Sequence, residues 1–123
     1  MIRIRTDAAP QPVGPYSQGI IHAGVLYSAG QGPFDAHGVR VGDTFAQQLE
    51  QTFANLARIA ETAGTDLRHA LRIGVYLSSM DYFGELNALA PLYLTEPFPA
   101  RTTIVADLPG FDVEIDAVFA VPE

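Results

Sequence analysis

The chain has 123 residues and a net charge of -7 at pH 7, with 48% of residues hydrophobic and 17% charged, which fits one folded domain and excludes a disordered or fibrous polypeptide. Fourteen Asp and Glu against seven Lys and Arg argue against binding to a phosphate backbone, so nucleic acid is not an expected partner. The absence of cysteine excludes disulfides, thiolate chemistry and sulfur-ligated metals, and no apolar run approaches the ~20 residues that span a bilayer, so a soluble, cytoplasmic protein without a membrane partner is expected.

Ile2 to Arg5 predicts a short strand. From Ala8 to Pro15 an extended loop is expected, because proline disfavours helix at itself and at the residue before it. Gly19 to Gly30 reads as two strands around a tight turn at Ala23-Gly24, a hairpin. Asp43 fits a helix N-cap. Phe45, Leu49, Phe53, Leu56, Ala60 and Ala63 then recur at three- and four-residue steps until Gly64, which predicts a long amphipathic helix. Gln47, Gln48, Glu50, Gln51 and Glu61 fall on its outer side.

Leu71, Ile73, Val75 and Leu77 alternate with Arg72, Gly74, Tyr76 and Ser78, the period of a strand. Asp81 fits the cap of a second helix reaching Thr95, bent or locally broken at Pro91. Two more strands, Arg101 to Asp107 and Val113 to Val121, flank the turn 108–112. The order β-ββ-α-β-α-ββ predicts an α+β domain, a mixed sheet with both helices packed on one face. Its second face then calls for cover by another chain.

Taken as a hairpin, the last two strands put Arg101, Thr103 and Val105 on one side and Thr102, Ile104 and Ala106 on the other. In the final strand Val113, Ile115, Ala117 and Phe119 share a side, opposite Glu114 and Asp116. Bringing the apolar sets together places Thr103 opposite Glu114 and Arg101 opposite Asp116, so that Arg101, Thr103 and Glu114 meet on one surface. An arginine that opens a strand must reach water or an anion. It serves either as half of a cross-strand ion pair or as a carboxylate anchor.

His22, His37 and His69 lack the spacing of metal ligands, and no metal is expected. Gly30 and Gly32 do not precede a helix as a phosphate-cradling loop would, so no nucleotide cofactor is expected either.

Four segments occur in order: GPYSQ at 14–18, SAGQGP at 28–33, FPARTT at 98–103 and EIDAV at 114–118. Together they resemble the Rid family, the reactive intermediate deaminases or YjgF-type proteins, over nearly the whole chain. The resemblance implies a single Rid-type domain over residues 1–123 with a chorismate-mutase-like α+β fold. It also implies a homotrimer with sites in the clefts between subunits. The implied activity is hydrolysis of enamine and imine acids, such as 2-aminoacrylate, to 2-keto acids and ammonia, with no cofactor. Carried over by residue, the resemblance makes Arg101, Glu114 and Tyr16 the catalytic set, and Arg101, Gly30, Ala29, Asn87 and Thr103 the substrate-binding set. Two of these depart from the family pattern: Ala29 stands where the deaminases typically carry serine, and Thr103 where they often carry cysteine.

The chemistry suits these groups independently. An imine is already electrophilic, so water adds to it without a metal or organic cofactor. Arg101 offers a planar fork that grips a carboxylate at two points and fixes the imine carbon. Glu114 suits the positioning of water and the passage of protons as the tetrahedral adduct loses ammonia. Tyr16 shapes the pocket mouth or packs on the sheet, Asn87 serves the site or is an ordinary exposed helix residue, and Gly30 also suits a bulge. Thr103 supplies a hydroxyl or packs. A methyl group at Ala29 makes the pocket more apolar and favours imines with bulkier apolar side chains. The alternative is non-catalytic binding of small carboxylates by a sensor or regulator of the same fold. The endoribonuclease label that some family members carry sits poorly with an acidic chain.

Overall fold

The computed structural model describes residues 1–123. Six strands, β1 (Ile2–Ile4), β2 (Gly19–His22), β3 (Val25–Ser28), β4 (Ala70–Leu77), β5 (Ala100–Val105) and β6 (Val113–Ala120), make one sheet in the order β1-β2-β3-β6-β4-β5. Helices α1 (Phe45–Thr62) and α2 (Phe83–Leu89) cover one face, as expected of the α+β class. Phe53, Leu56 and Ile59 of α1 and Leu86 of α2 close on Leu26, Ile73, Val75, Ile115 and Phe119 of the sheet, all nearly or fully buried. No helix is long and apolar enough to cross a membrane.

The β2–β3 hairpin turns at Ala23 and Gly24, with φ of 52° and 77°. Two successive left-handed residues match the twist of paired strands, and an alanine tolerates the first position at some cost. The N-cap of α1 is Thr44, not Asp43. The Thr44 hydroxyl accepts from the Gln47 N–H at 3.2 Å while the Gln47 side chain accepts from the Thr44 N–H at 3.2 Å, a reciprocal box that Asp43 stands one residue too early to form. Gln48, expected outside, is only 2% exposed. Its amide bridges α1 to the start of β6, donating to Asp112 Oδ2 at 3.3 Å and accepting from the Asp112 N–H at 2.8 Å.

The second helix is shorter than expected and starts differently. Ser79, not Asp81, caps a 3-10 turn at Met80–Tyr82 that leads into α2. Pro91 falls in a second 3-10 turn, Ala90–Leu92, because its missing N–H and its ring cannot continue the α-helical ladder. Leu71, expected inward, is 50% exposed: the register with β6 shifts between Ala70 and Arg72, and Ala70 takes the inward place.

The largest departure concerns β5 and β6, which do not form a hairpin. β5 pairs in parallel with β4, and β6 lies between β3 and β4, antiparallel to both. No residue of β6 is exposed, which suits a strand with neighbours on both sides, whereas the largely exposed and polar Arg101, Thr102 and Thr103 suit an edge. Residues 106–112 are enough chain to step over β4, and α2 supplies the crossover that a parallel pair requires.

Thr52, on the inner side of α1, is fully buried and its hydroxyl has no hydrogen-bond partner. Thr52→Val removes an unsatisfied polar atom at nearly constant shape. It should stabilise the domain by about 1 kcal/mol, read as a rise of about 3–5 °C in thermal unfolding.

Candidate active site

The register divides the expected site between the two faces of the sheet. Arg101 pairs with Ile73 and Thr103 with Val75, on the face that the helices cover. Glu114 pairs with Tyr76 and Asp116 with Gly74, on the face without helices. Arg101, Thr103 and Glu114 therefore do not meet on one surface within a chain. The expectation failed because alternation gives the side of each residue but not the strand beside it.

On the helix side, Arg101 Nη2 donates to Asn87 Oδ1 at 2.7 Å, and its guanidinium carbon stands 5.5 Å from the centre of the Phe83 ring. The amide and the ring fix the orientation of the fork without neutralising it. Arg5, Arg58 and Arg68 each pair with an acidic side chain, but no carboxylate lies within ion-pair distance of Arg101. An oriented, exposed and unpaired guanidinium is ready to take a carboxylate. Two residues along the strand, the Thr103 hydroxyl is buried without a partner.

On the other face a cleft of about 620 Å³ opens between the loop carrying Pro12, Val13 and Tyr16 and the segment Gly30–Gly32, with Glu114 in its wall. Gly30 lets the carboxylate lie against the backbone: a Cβ there would come within 2.6 Å of Glu114 Oε2 and 3.1 Å of Cδ. Burial, and then the charge of Asp116, push the pKa of Glu114 above its usual 4.5. Asp116 is itself held by the Tyr76 hydroxyl, which donates to Oδ2 at 2.9 Å. Tyr16 is half-exposed at the mouth, its hydroxyl accepting from the Val13 N–H at 3.2 Å. Ala29 donates its N–H to the Gln18 carbonyl at 2.9 Å and does not line the cleft. No three His, Cys, Asp or Glu side chains gather as a metal-binding group.

Two buried amides that sequence reasoning passed over hold the walls in place. Gln18 accepts from the Thr6 N–H at 2.7 Å and donates to the Thr6 carbonyl at 3.0 Å and the Pro10 carbonyl at 2.8 Å, which pins the proline loop. Asn55 of α1 donates to the carbonyls of Gly32 at 3.1 Å and Phe34 at 2.8 Å. For Asn55 the available signal was an amide beside Leu56 and Ile59 on the helix's inner stripe, one turn after Thr52.

The raised pKa of Glu114 carries a stability consequence. Between pH 4.5 and the raised value the folded chain keeps a proton that the unfolded chain has released, so this group's contribution falls as pH rises through that window. Glu114→Gln should therefore melt higher than the parent near pH 7, with the difference shrinking toward about pH 4, as read by thermal unfolding at each pH.

Similarities to known proteins bear on this geometry. The family model described as Endoribonuclease L-PSP matches residues 6–121. A RutC family protein, y4sK of Sinorhizobium fredii, is 39% identical over 121 residues, 96% of each chain. A protein of Dermatophagoides farinae named 2-iminobutanoate/2-iminopropanoate deaminase is 29% identical over 96% of this chain and 94% of its own. Among solved structures, RidA from the Antarctic bacterium Psychrobacter sp. superposes with a TM-score of 0.91 at 36% identity, covering 98% of this chain and 100% of that one.

Proposed function

Since the chain belongs to the YjgF/RutC family, which includes the Rid proteins, we propose that it hydrolyses 2-imino and 2-enamine acids to 2-keto acids and ammonia. The name carried by the Dermatophagoides relative supports this chemistry. The observation that carries the reading is an oriented arginine without a counter-ion on one face and, on the other, a half-buried glutamate whose pKa is raised. Neither half is a site alone. We place the reaction in a cleft between copies, the arginine half of one meeting the glutamate half of the next, with a homotrimer closing the arrangement. Exposed Tyr27 and Ile104 on the face without helices support burial against another copy.

In that cleft the substrate carboxylate seats on the Arg101 fork, beside Asn87. Water adds to the imine carbon and one of its protons goes to the nitrogen; the remaining hydroxyl proton then passes to that nitrogen as the C–N bond breaks, which leaves the 2-keto acid and ammonia. Glu114 relays these protons, because a carboxyl whose pKa burial has raised is a better acceptor of a proton from water than a free carboxylate and can pass it on to the departing nitrogen. The chain contains neither lysine nor cysteine, so no side-chain amine or thiol competes as a covalent nucleophile. Tyr16 closes the mouth, and the unpaired hydroxyl of Thr103 is a spare donor near the anchor.

The test is complementation. Arg101→Ala and Glu114→Gln should each lose about a hundredfold alone on imines generated in situ by an amino-acid oxidase, with ammonia release as the readout. Refolded together in equal amounts they should recover about a quarter of parent activity, the share of clefts that receive both intact halves in a random ring. Silence of the mixture, with an active parent, rejects the shared cleft. Decay of every imine at the buffer rate with the parent rejects the deaminase in favour of a carboxylate-binding protein.

A further inference from the structure

Resting on the deaminase reading, we infer that the apolar pocket beside Arg101 receives the side chain of the imino acid and selects branched and aromatic ones. The pocket measures about 420 Å³ and lies on the helix side of the sheet. Ile73, Ala90 and Leu94 are buried in its floor and Phe98 stands half-exposed in its wall, while Asn87 and Arg101 line it at the anchor. In a 2-imino acid the side chain leaves the carbon next to the carboxylate. With the carboxylate on the Arg101 fork, that side chain falls within reach of a pocket that has the same arginine in its wall. The floor presents no hydrogen-bonding side chain, so a hydroxylated substituent would lose its water without replacement. A methyl group would leave most of the space unfilled, whereas an isobutyl or benzyl group displaces water from apolar surface.

Ala90 sets the depth. Its carbonyl accepts from the Tyr93 and Leu94 N–H groups, each at 3.0 Å, so its backbone is fixed, and its side chain is the smallest in the floor. A larger residue there fills the pocket rather than shifting it. This selection is separate from the one expected of Ala29, which lies outside both cavities.

The experiment compares kcat/KM for imines made in situ from alanine, leucine and phenylalanine. The parent should favour the two larger imines by at least about tenfold, since a single buried methylene already discriminates by that much. Ala90→Leu should cut this ratio about tenfold and Ala90→Phe further. Phe98→Ser, at an exposed position that does not threaten the fold, should lower the ratio by removing the wall. A parent without preference, or variants that depress all three imines in proportion, overturns the assignment. Should the parent hydrolyse none, the deaminase reading falls and the pocket is judged by calorimetry with pyruvate and 4-methyl-2-oxopentanoate. Tighter binding of the branched acid that Ala90→Leu abolishes upholds the pocket; equal binding of the two rejects it.

Discussion

Arg101→Lys should lower kcat/KM for a 2-imino acid by at least about a hundredfold while leaving the melting temperature essentially unchanged. The two halves of that expectation have different causes. Stability is spared because Arg101 is exposed, sits on an edge strand and has no ion pair to lose. Activity is not, because the ammonium of lysine is a hydrated point charge on a flexible stem. It would lack the two parallel donors, the hold of the Asn87 amide on a planar group, and the contact with the Phe83 ring. A misplaced carboxylate moves the imine carbon away from the glutamate half, and small displacements are expensive in rate. Steady-state ammonia release across substrate concentrations decides it, and unchanged turnover would remove Arg101 from the role of anchor.

Gly30→Ala should cost a similar factor through a different route. Its φ is not in the left-handed region, so the backbone accepts alanine without strain; the obstacle is space. A methyl group 2.6 Å from Glu114 Oε2 must drive the carboxylate out of the position that allows it to relay a proton. The check is a double-mutant cycle. If Gly30→Ala acts through Glu114, then Gly30→Ala combined with Glu114→Gln should be no slower than Glu114→Gln alone. Additive losses would mean that the Gly30 backbone serves the substrate independently.

Much of the framework was readable from local pattern. The Ala23-Gly24 turn, the apolar steps from Phe45 to Ala60 and the alternation from Ile73 to Leu77 each depend on neighbours within a few residues. The cap of α1 was misplaced by one residue because Asp43 and Thr44 are both good caps, and only the reach of Gln47 distinguishes them. Strand pairing was not readable. Nothing in Arg101 to Val121 announces that β4 lies between β5 and β6, since that depends on the whole sheet competing for neighbours. The same limit governed the site: the residue types at Arg101, Asn87, Gly30 and Glu114 suggested the chemistry, but the faces on which they emerge depend on long-range pairing. Gln18 and Asn55 escaped notice because a buried amide is recognised by its partners, and these are loop carbonyls far along the chain from Asn55.

The position of β5 at the margin of the sheet, with β6 at its interior, sets the two halves of the site at opposite ends of a scale of mechanical security. β6 pairs with β4 along its length and is held on its other edge by β3 at Val118–Ala120 and by the bridge to Gln31 at Ile115, so Glu114 rides on the part of the domain that opens only when the whole domain does. β5 has a single neighbour, and Arg101 rides on a strand that can peel away by itself. Amide hydrogen exchange should show this as slow exchange at Ile115 and Ala117 and fast exchange along Ala100–Val105 in the single chain. Docking of a second copy over the arginine would slow the β5 amides first, so their exchange rate would meter assembly before any substrate is added.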